Sequence, residues 1–232
     1  MLSPFVLLLR YLSFNTNIHR FPQAPRNVFE IVWARAAESS ADYVESNLAG
    51  ALVFERRENL WDFALDKVAR DGLFAEFGVF SGISINHFAR TVASRNVTIH
   101  GFDSFEGLKE DWQGTELPKG AFDRGGILPD VLPNVNLVKG WFDKTVPAFL
   151  ESHPGLFAFI HFDADTFEST SLLLDLLKDR MATGTIVIFD EYLGFPNWEN
   201  GEFRAWQAHV RTHGIAYQYL GFSNNQAAIR IC

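Results

Sequence analysis

"LFAEFGVFSGISINHFARTVAS", residues 73–94, reads as a short apolar strand, a turn holding two glycines, and then a helix-length segment. Glu76, Gly78 and Gly82 stand in an E-x-G-x-x-x-G spacing. Glycine admits a positive φ and lets backbone approach a ligand closely, so the turn is a candidate ligand contact as well as a tight connection. The spacing differs from the G-x-G-x-x-G of dinucleotide folds, and no Walker lysine follows.

Working outward, the same texture repeats. "VTIHGFD", "NVNLVKG", "LFAFIHFD" and "GTIVIFDEY" are strand-like apolar runs, and "SLLLDLLKDRM" and "EFRAWQAHVRTH" are helix-length segments among them. Alternation of this kind predicts a mostly parallel sheet with helices on both faces. The near-continuous apolar character of the strands agrees with burial on both sides. The end differs: "AYQYLGFSNNQAAIRI" holds two strand-like runs joined by "SNN" and predicts an antiparallel hairpin. Seven strands result. Upstream, residues 26–70 place apolar residues at three-to-four spacing and predict helices. The expected organisation is an N-terminal arm and helical cap over 1–70 and an α/β domain over 71–232.

Composition bounds the function. The 232 residues fit one large domain, or one with an appendage. A formal net charge of −8 disfavours nucleic acid as a partner, because phosphate backbones attract the opposite sign. The single cysteine, Cys232, allows no internal disulfide and suits a reducing, cytoplasmic setting. The apolar run Phe5–Leu9 is too short to span a bilayer and lacks the flanks of a signal peptide, so it reads as a surface-packing arm without a membrane span.

In open parallel sheets, ligands bind outside the carboxyl ends of the strands. The five parallel strands end at Glu76-Phe77-Gly78, Asp103, Gly140-Trp141, Asp163 and Asp190-Glu191. Four of these ends carry a carboxylate, an arrangement that structure alone seldom needs, since an unpaired buried charge is costly. Asp103 follows Gly78 by 25 residues, and an acid there can accept hydrogen bonds from both hydroxyls of a ribose. The glycine turn and this acid together point to an adenosyl ligand.

"FIHFDADTFEST", residues 159–170, crowds Asp163, Asp165 and Glu168 together. Asp165 and Glu168 have the spacing of a capping box for the following helix. Asp163 precedes that box, at the strand end. Asp190 ends the next strand, 27 residues on, and neighbouring strands lie about 4.8 Å apart, so these acids can converge. Crowded carboxylates repel unless neutralised, and a divalent cation would do this. All-oxygen ligands favour Mg²⁺, Mn²⁺ or Ca²⁺ over Zn²⁺.

"FAEFGVFSGIS", "HGFDSFEGL", "HFDADTFEST" and "GTIVIFDEY" resemble the motifs of S-adenosylmethionine-dependent methyltransferases, most of all the macrocin and mycinamicin sugar O-methyltransferases. The resemblance covers roughly residues 40–231 and is sharpest over 74–192. It implies a Rossmann-like seven-stranded methyltransferase sheet. It implies that Glu76, Gly78, Ser81 and Gly82 surround the methionine part of the cofactor. Asp103 would hold the ribose, with Ser104 and Phe105 flanking it, and Gly140 and Trp141 would lie near adenine. It also implies Mg²⁺, or Mn²⁺, held at the positions of Asp163, Asp190 and Glu191, although the family pattern usually has aspartate where this chain has Glu191. Asp163 and Asp190 would thus be catalytic, Asp163 touching cofactor and metal alike. The acceptor would be a glycoside or other small polyol.

Two other readings stand beside this one. A D-x-D before a helix occurs in metal-dependent glycosyltransferases, which would use Asp163 and Asp165 but leave the glycine turn without a task. A non-catalytic S-adenosylmethionine-binding module is the other. Of the remaining residues, His209 and His213 lie one helical turn apart without an evident third ligand, and His161 shares a strand face with Asp163. Tyr192 is a candidate pocket residue. Residues 106–130 lack periodicity and form a candidate binding loop, with Trp112, Lys119 and Arg124 as candidate contacts. The helical cap, rich in aromatics, is a candidate acceptor cover and homo-oligomer surface.

Overall fold

The computed structural model describes residues 27–232, so the Phe5–Leu9 run lies outside the described residues. The chain enters through α1 (Val28–Asn47), capped by Asn27, whose side-chain oxygen accepts the Glu30 N–H at 3.0 Å. Leu48 ends the helix, and Leu52–Val53 then form a short strand, β1. The helical spacing read over "ALVF" is corrected here. The helix has already ended at Leu48, and β1 instead pairs in parallel with β7 (Tyr217–Ser223), through Leu52 to Gly221 and Val53 to Phe222. The sheet therefore has eight strands rather than seven.

Next comes α2 (Arg57–Asp66), which buries Leu60, Trp61, Ala64 and Leu65 in one cluster with Phe74, Phe88 and Phe159. The other strands are β2 (Leu73–Phe77), β3 (Ile99–Asp103), β4 (Val135–Lys139), β5 (Phe157–Phe162), β6 (Ile186–Phe189) and β8 (Gln226–Ile231). Their helices are α3 (Ile83–Thr91), α4 (Phe142–Ser152), α5 (Phe167–Leu177) and α6 (Glu202–His213). The order across the sheet is β1-β7-β8-β6-β5-β2-β3-β4. Among the described strands of this sheet, only the pairings made by β8 are antiparallel, as the final hairpin predicts. The strand order reverses between β2 and β5, which places a crevice at their carboxyl ends.

A ladder of phenylalanines fixes the register at that edge. Phe102, Phe77, Phe162 and Phe189 come from β3, β2, β5 and β6 and are direct cross-strand partners. Their rings stack at centroid distances of 4.9, 5.7 and 5.2 Å, and all four are fully buried. Each buried ring contributes about 1.5–3 kcal/mol by leaving water. The residue after each phenylalanine is Asp103, Gly78, Asp163 and Asp190 in turn. Aligned rings thus deliver the turn glycine and three carboxylates side by side at the sheet edge.

Candidate active site

The glycine turn comes first. Gly78 has φ +94°, and a Cβ there would sit 1.7 Å from the Asp163 carbonyl oxygen. Only glycine lets the ends of β2 and β5 meet so closely. Gly82, at φ +79°, caps α3. Asp103 braces the turn: its Oδ2 accepts the N–H groups of Val79 and Phe80, each at 2.8 Å, and its Oδ1 accepts that of Phe105 at 2.7 Å. A carboxylate offers about four acceptor positions, so roughly one remains for a ligand. The reading in which Asp103 takes both ribose hydroxyls undivided is narrowed by these bonds.

Beneath the edge runs a buried polar chain. Glu76 and His161 are cross-strand partners, with His161 Nδ1 2.8 Å from Glu76 Oε1. His161 Nε2 lies 3.3 Å from Asp190 Oδ1, an ion-pair distance. Gln226 donates from Nε2 to the same Asp190 oxygen and accepts the Trp61 indole N–H at 2.7 Å. Burial alone would depress the His161 pKa, but the Asp190 and Glu76 carboxylates outweigh it and bring it up to about 10. Asp190 is in turn held below the usual carboxylate range: burial opposes this, and the His161 partner prevails.

Above that chain lies the acid cluster. Asp163, Asp165 and Glu191 each offer one carboxylate oxygen, and these atoms lie within 4.8 Å of one another. Burial first, and then mutual repulsion among neighbouring carboxylates, pushes all three pKa values well above the usual range. Glu191 Oε2 is buried with no hydrogen-bond partner. The sequence drew Asp163, Asp190 and Glu191 together. The structure brings Asp165 into the group, while Asp190 spends one oxygen on His161 and Gln226.

That change corrects the cap assigned to Asp165. Thr166 is the N-cap of α5, its hydroxyl accepting the Ser169 N–H at 3.2 Å. Asp165, at φ +61°, stands one residue before the N-cap and belongs to the cluster. Glu168 occupies the first turn of α5 and lines the cleft.

These elements surround one cleft of about 510 Å³, within the usual range for small-molecule sites. Gly78, Asp103, Ser104, Gly140, Trp141, Asp163, Asp190 and Glu191 line it. Glu76, Ser81, Gly82 and Phe105 lie outside its lining, Glu76 being fully buried below. The 106–130 segment supplies part of the wall through Lys109, Glu110, Trp112 and Phe122. Lys109 lies 4.9 Å over the Trp141 ring and pairs with Asp143 at 3.2 Å. Lys119 and Arg124 do not line the cleft, and the Arg124 Nε instead donates to the Ile127 carbonyl. Tyr192 is also absent from the lining, because its hydroxyl is 2.7 Å from that of Tyr219 inside the core. His209 and His213 face each other at 4.6 Å away from the cleft, with burial lowering His209 to about 4. Sequence reasoning missed Arg57, a cleft-lining cation that sits 5.0 Å over the Trp61 ring, and Gln226. It also missed Glu202, whose place at a helix start gave no sign of burial.

A parallel sheet with this order, a glycine turn against a strand-end acid, and a carboxylate-lined cleft are the parts of a methyltransferase. Residues 75–192 match the family model described as a methyltransferase domain, and the chain belongs to that family. A curated relative is 30% identical over 167 residues, which is 60% of this chain and 60% of the relative: the 8-demethyl-8-(2,3-dimethoxy-alpha-L-rhamnosyl)-tetracenomycin-C 4'-O-methyltransferase of Streptomyces olivaceus. Among solved structures, the calicheamicin methyltransferase CalS11 superimposes with a TM-score of 0.62 at 23% identity, covering 88% of this chain and 93% of that one. The O-methyltransferase NovP gives 0.55 at 21% identity, covering 75% and 78%. These likenesses agree with the Rossmann-like methyltransferase fold. Among the described residues, no helix is long and apolar enough to cross a membrane.

Proposed function

We propose that the protein transfers a methyl group from S-adenosylmethionine to a hydroxyl of a sugar, assisted by a divalent cation such as Mg²⁺ or Mn²⁺. One observation carries the reading: the Gly78 turn, where the cofactor would lie, abuts Asp163, and Asp163 belongs to the three-carboxylate cluster in the same cleft. The relative's rhamnosyl O-methylation supports a sugar acceptor, as does a cleft walled by both carboxylates and aromatic rings. A glycosyltransferase reading of Asp163 and Asp165 leaves the glycine turn idle and does not fit the family match.

The cluster fits a hard cation. It offers all-oxygen donors, convergent within 4.8 Å, with one carboxylate oxygen lacking any partner. Asp163, Asp165 and Glu191 would hold the ion, and Asp190, tied to His161, would flank it. The cofactor supplies an electrophilic methyl on a sulfonium, and the cation supplies a charge that lowers the pKa of a hydroxyl near it. The chain does the rest. The Gly78 turn and Asp103 fix where the methionine and ribose parts lie, with Asp103 accepting one ribose hydroxyl. Trp141 and Phe142 wall the adenine end. As the new C–O bond forms and the C–S bond breaks, S-adenosylhomocysteine leaves, and the hydroxyl proton passes to a cleft carboxylate oxygen that the cation does not occupy. Alignment of the reacting atoms can contribute roughly 7–11 kcal/mol.

The segment ahead of the sheet completes the proposal. α1 is bound to the β6–α6 connection, where Ser40 accepts the Gly194 N–H at 2.8 Å and Ser39 the Trp198 indole N–H at 3.0 Å. We assign it, with the 106–130 loop, to covering the acceptor, and its exposed Val28, Phe29 and Val32 to contact with a second copy of the chain. Chelation tests the central reading. EDTA should stop turnover with a glycoside acceptor, Mg²⁺ should restore it, and Asp163→Ala should resist rescue; full activity in EDTA would remove the cation from the account.

A further inference from the structure

Glu202 opens α6, outside the strand ends, yet its side chain is fully buried at the base of the acid cluster. Its Oε1 accepts the Ala164 N–H at 3.3 Å and the Thr170 hydroxyl at 3.2 Å. Its Oε2 accepts the Glu191 N–H at 3.1 Å. Ala164 lies between Asp163 and Asp165, and Glu191 follows Asp190. One carboxylate therefore holds the backbone of both acid-bearing loops and, through the Thr170 hydroxyl, the helix behind one of them.

From this geometry we infer that Glu202 is a positioning residue that sets the spacing of Asp163, Asp165 and Glu191 for a divalent cation. The inference rests on the proposed reading of the cluster as a cation site. A fourth carboxylate beside three others adds repulsion, and burial without partners would add desolvation. The site tolerates it because its two oxygens receive three donors, two from loops and one from α5, a set that no apolar residue could replace. Ligands held by such outer partners keep their geometry, and loss of a partner typically weakens metal affinity about 10–100-fold. Glutamine cannot stand in. Its one acceptor oxygen can serve Ala164 and Thr170, or Glu191, while its NH₂ group would face the N–H on the other side.

The experiment measures Mn²⁺ affinity by electron paramagnetic resonance in wild type, Glu202→Gln and Thr170→Val. S-adenosylhomocysteine affinity is measured in parallel as a readout of the intact cofactor side. Thr170→Val keeps the carboxylate and removes one donor that orients it, so it reports even where the glutamine variant folds poorly. The expected result is Mn²⁺ affinity about 10-fold or more weaker in Glu202→Gln and weaker by less in Thr170→Val, with S-adenosylhomocysteine affinity unchanged. Under turnover, the Mg²⁺ concentration for half-maximal rate should rise while the KM for S-adenosylmethionine stays put. Wild-type protein that binds no Mn²⁺ overturns the cation-site reading and this inference with it. Wild-type protein that binds Mn²⁺ no more tightly than both variants overturns the inference alone. So does an equal fall in Mn²⁺ and S-adenosylhomocysteine affinity, which would make Glu202 a general structural residue.

Discussion

A Cβ at position 78 would lie 1.7 Å from the carbonyl oxygen of Asp163, so the glycine turn and the acid cluster share one contact. This contact couples the two halves of the site. Gly78→Ala must push the β2 and β5 ends apart, and it also places a side chain at φ +94°. It should destabilise the fold by about 2 kcal/mol or more and abolish measurable S-adenosylmethionine binding. Denaturant titration and calorimetry on the same preparation check both effects; retained cofactor affinity would separate the turn from the ligand.

Asp103 braces the turn through three backbone N–H groups, leaving about one acceptor position for ribose. Asp103→Ala should weaken S-adenosylmethionine binding by about 1.5–3 kcal/mol and lower the melting temperature as well. A melting curve unchanged from wild type would mean that the turn does not depend on this carboxylate.

The cluster gives a pH signature with a defined sign. Asp163, Asp165 and Glu191 have raised pKa values in the folded state, chiefly from burial. Groups of this kind bind protons more tightly when folded, so their contribution is fully present below the ordinary carboxylate range near pH 4 and is lost as pH rises through the raised values. In metal-free buffer, Glu191→Gln should therefore melt at a higher temperature than wild type at pH 8 and show a smaller gain at pH 5. Mg²⁺ should raise the wild-type melting temperature more at pH 8 than at pH 5, because protons compete for the same oxygens. A Mg²⁺ effect independent of pH would contradict this account.

His161 stands between Glu76 and Asp190 in the sheet interior. Its raised pKa favours the folded state fully below its ordinary value near 6.5, and this is lost as pH climbs through about 10. Removing it leaves two buried carboxylates without a cation. His161→Ala should cost about 3–5 kcal/mol. The same substitution should flatten the alkaline fall of stability near pH 10, as read by denaturant midpoints across pH.

Much of the fold is legible because the sheet edge repeats one short pattern. "EFG", "GFD", "HFD" and "IFD" each put a phenylalanine before a glycine or aspartate, and the ring ladder turns that repetition into a row of site residues. What sequence cannot carry is contact between elements far apart along the chain. Glu202 looks like an ordinary acid in a helix's first turn until α6 docks behind the strand ends. Asp190 reads as a member of the acid group until β5 and β8 supply His161 and Gln226 as partners. The α5 cap moved by one residue because Asp165 and Thr166 both have capping chemistry, and only the backbone at Asp165 decides between them. β1 was hidden because two residues have no periodicity to read.

The most direct test of the whole account is methyl transfer itself. Purified protein is incubated with methyl-labelled S-adenosylmethionine, Mg²⁺ and a panel of glycosides, with Asp163→Ala as the matched control. The account predicts label bound through oxygen to a sugar of at least one glycoside, formed by wild type and not by the variant. Label that stays on the cofactor with every glycoside, despite measured S-adenosylmethionine binding, or label that appears equally with Asp163→Ala, would contradict it.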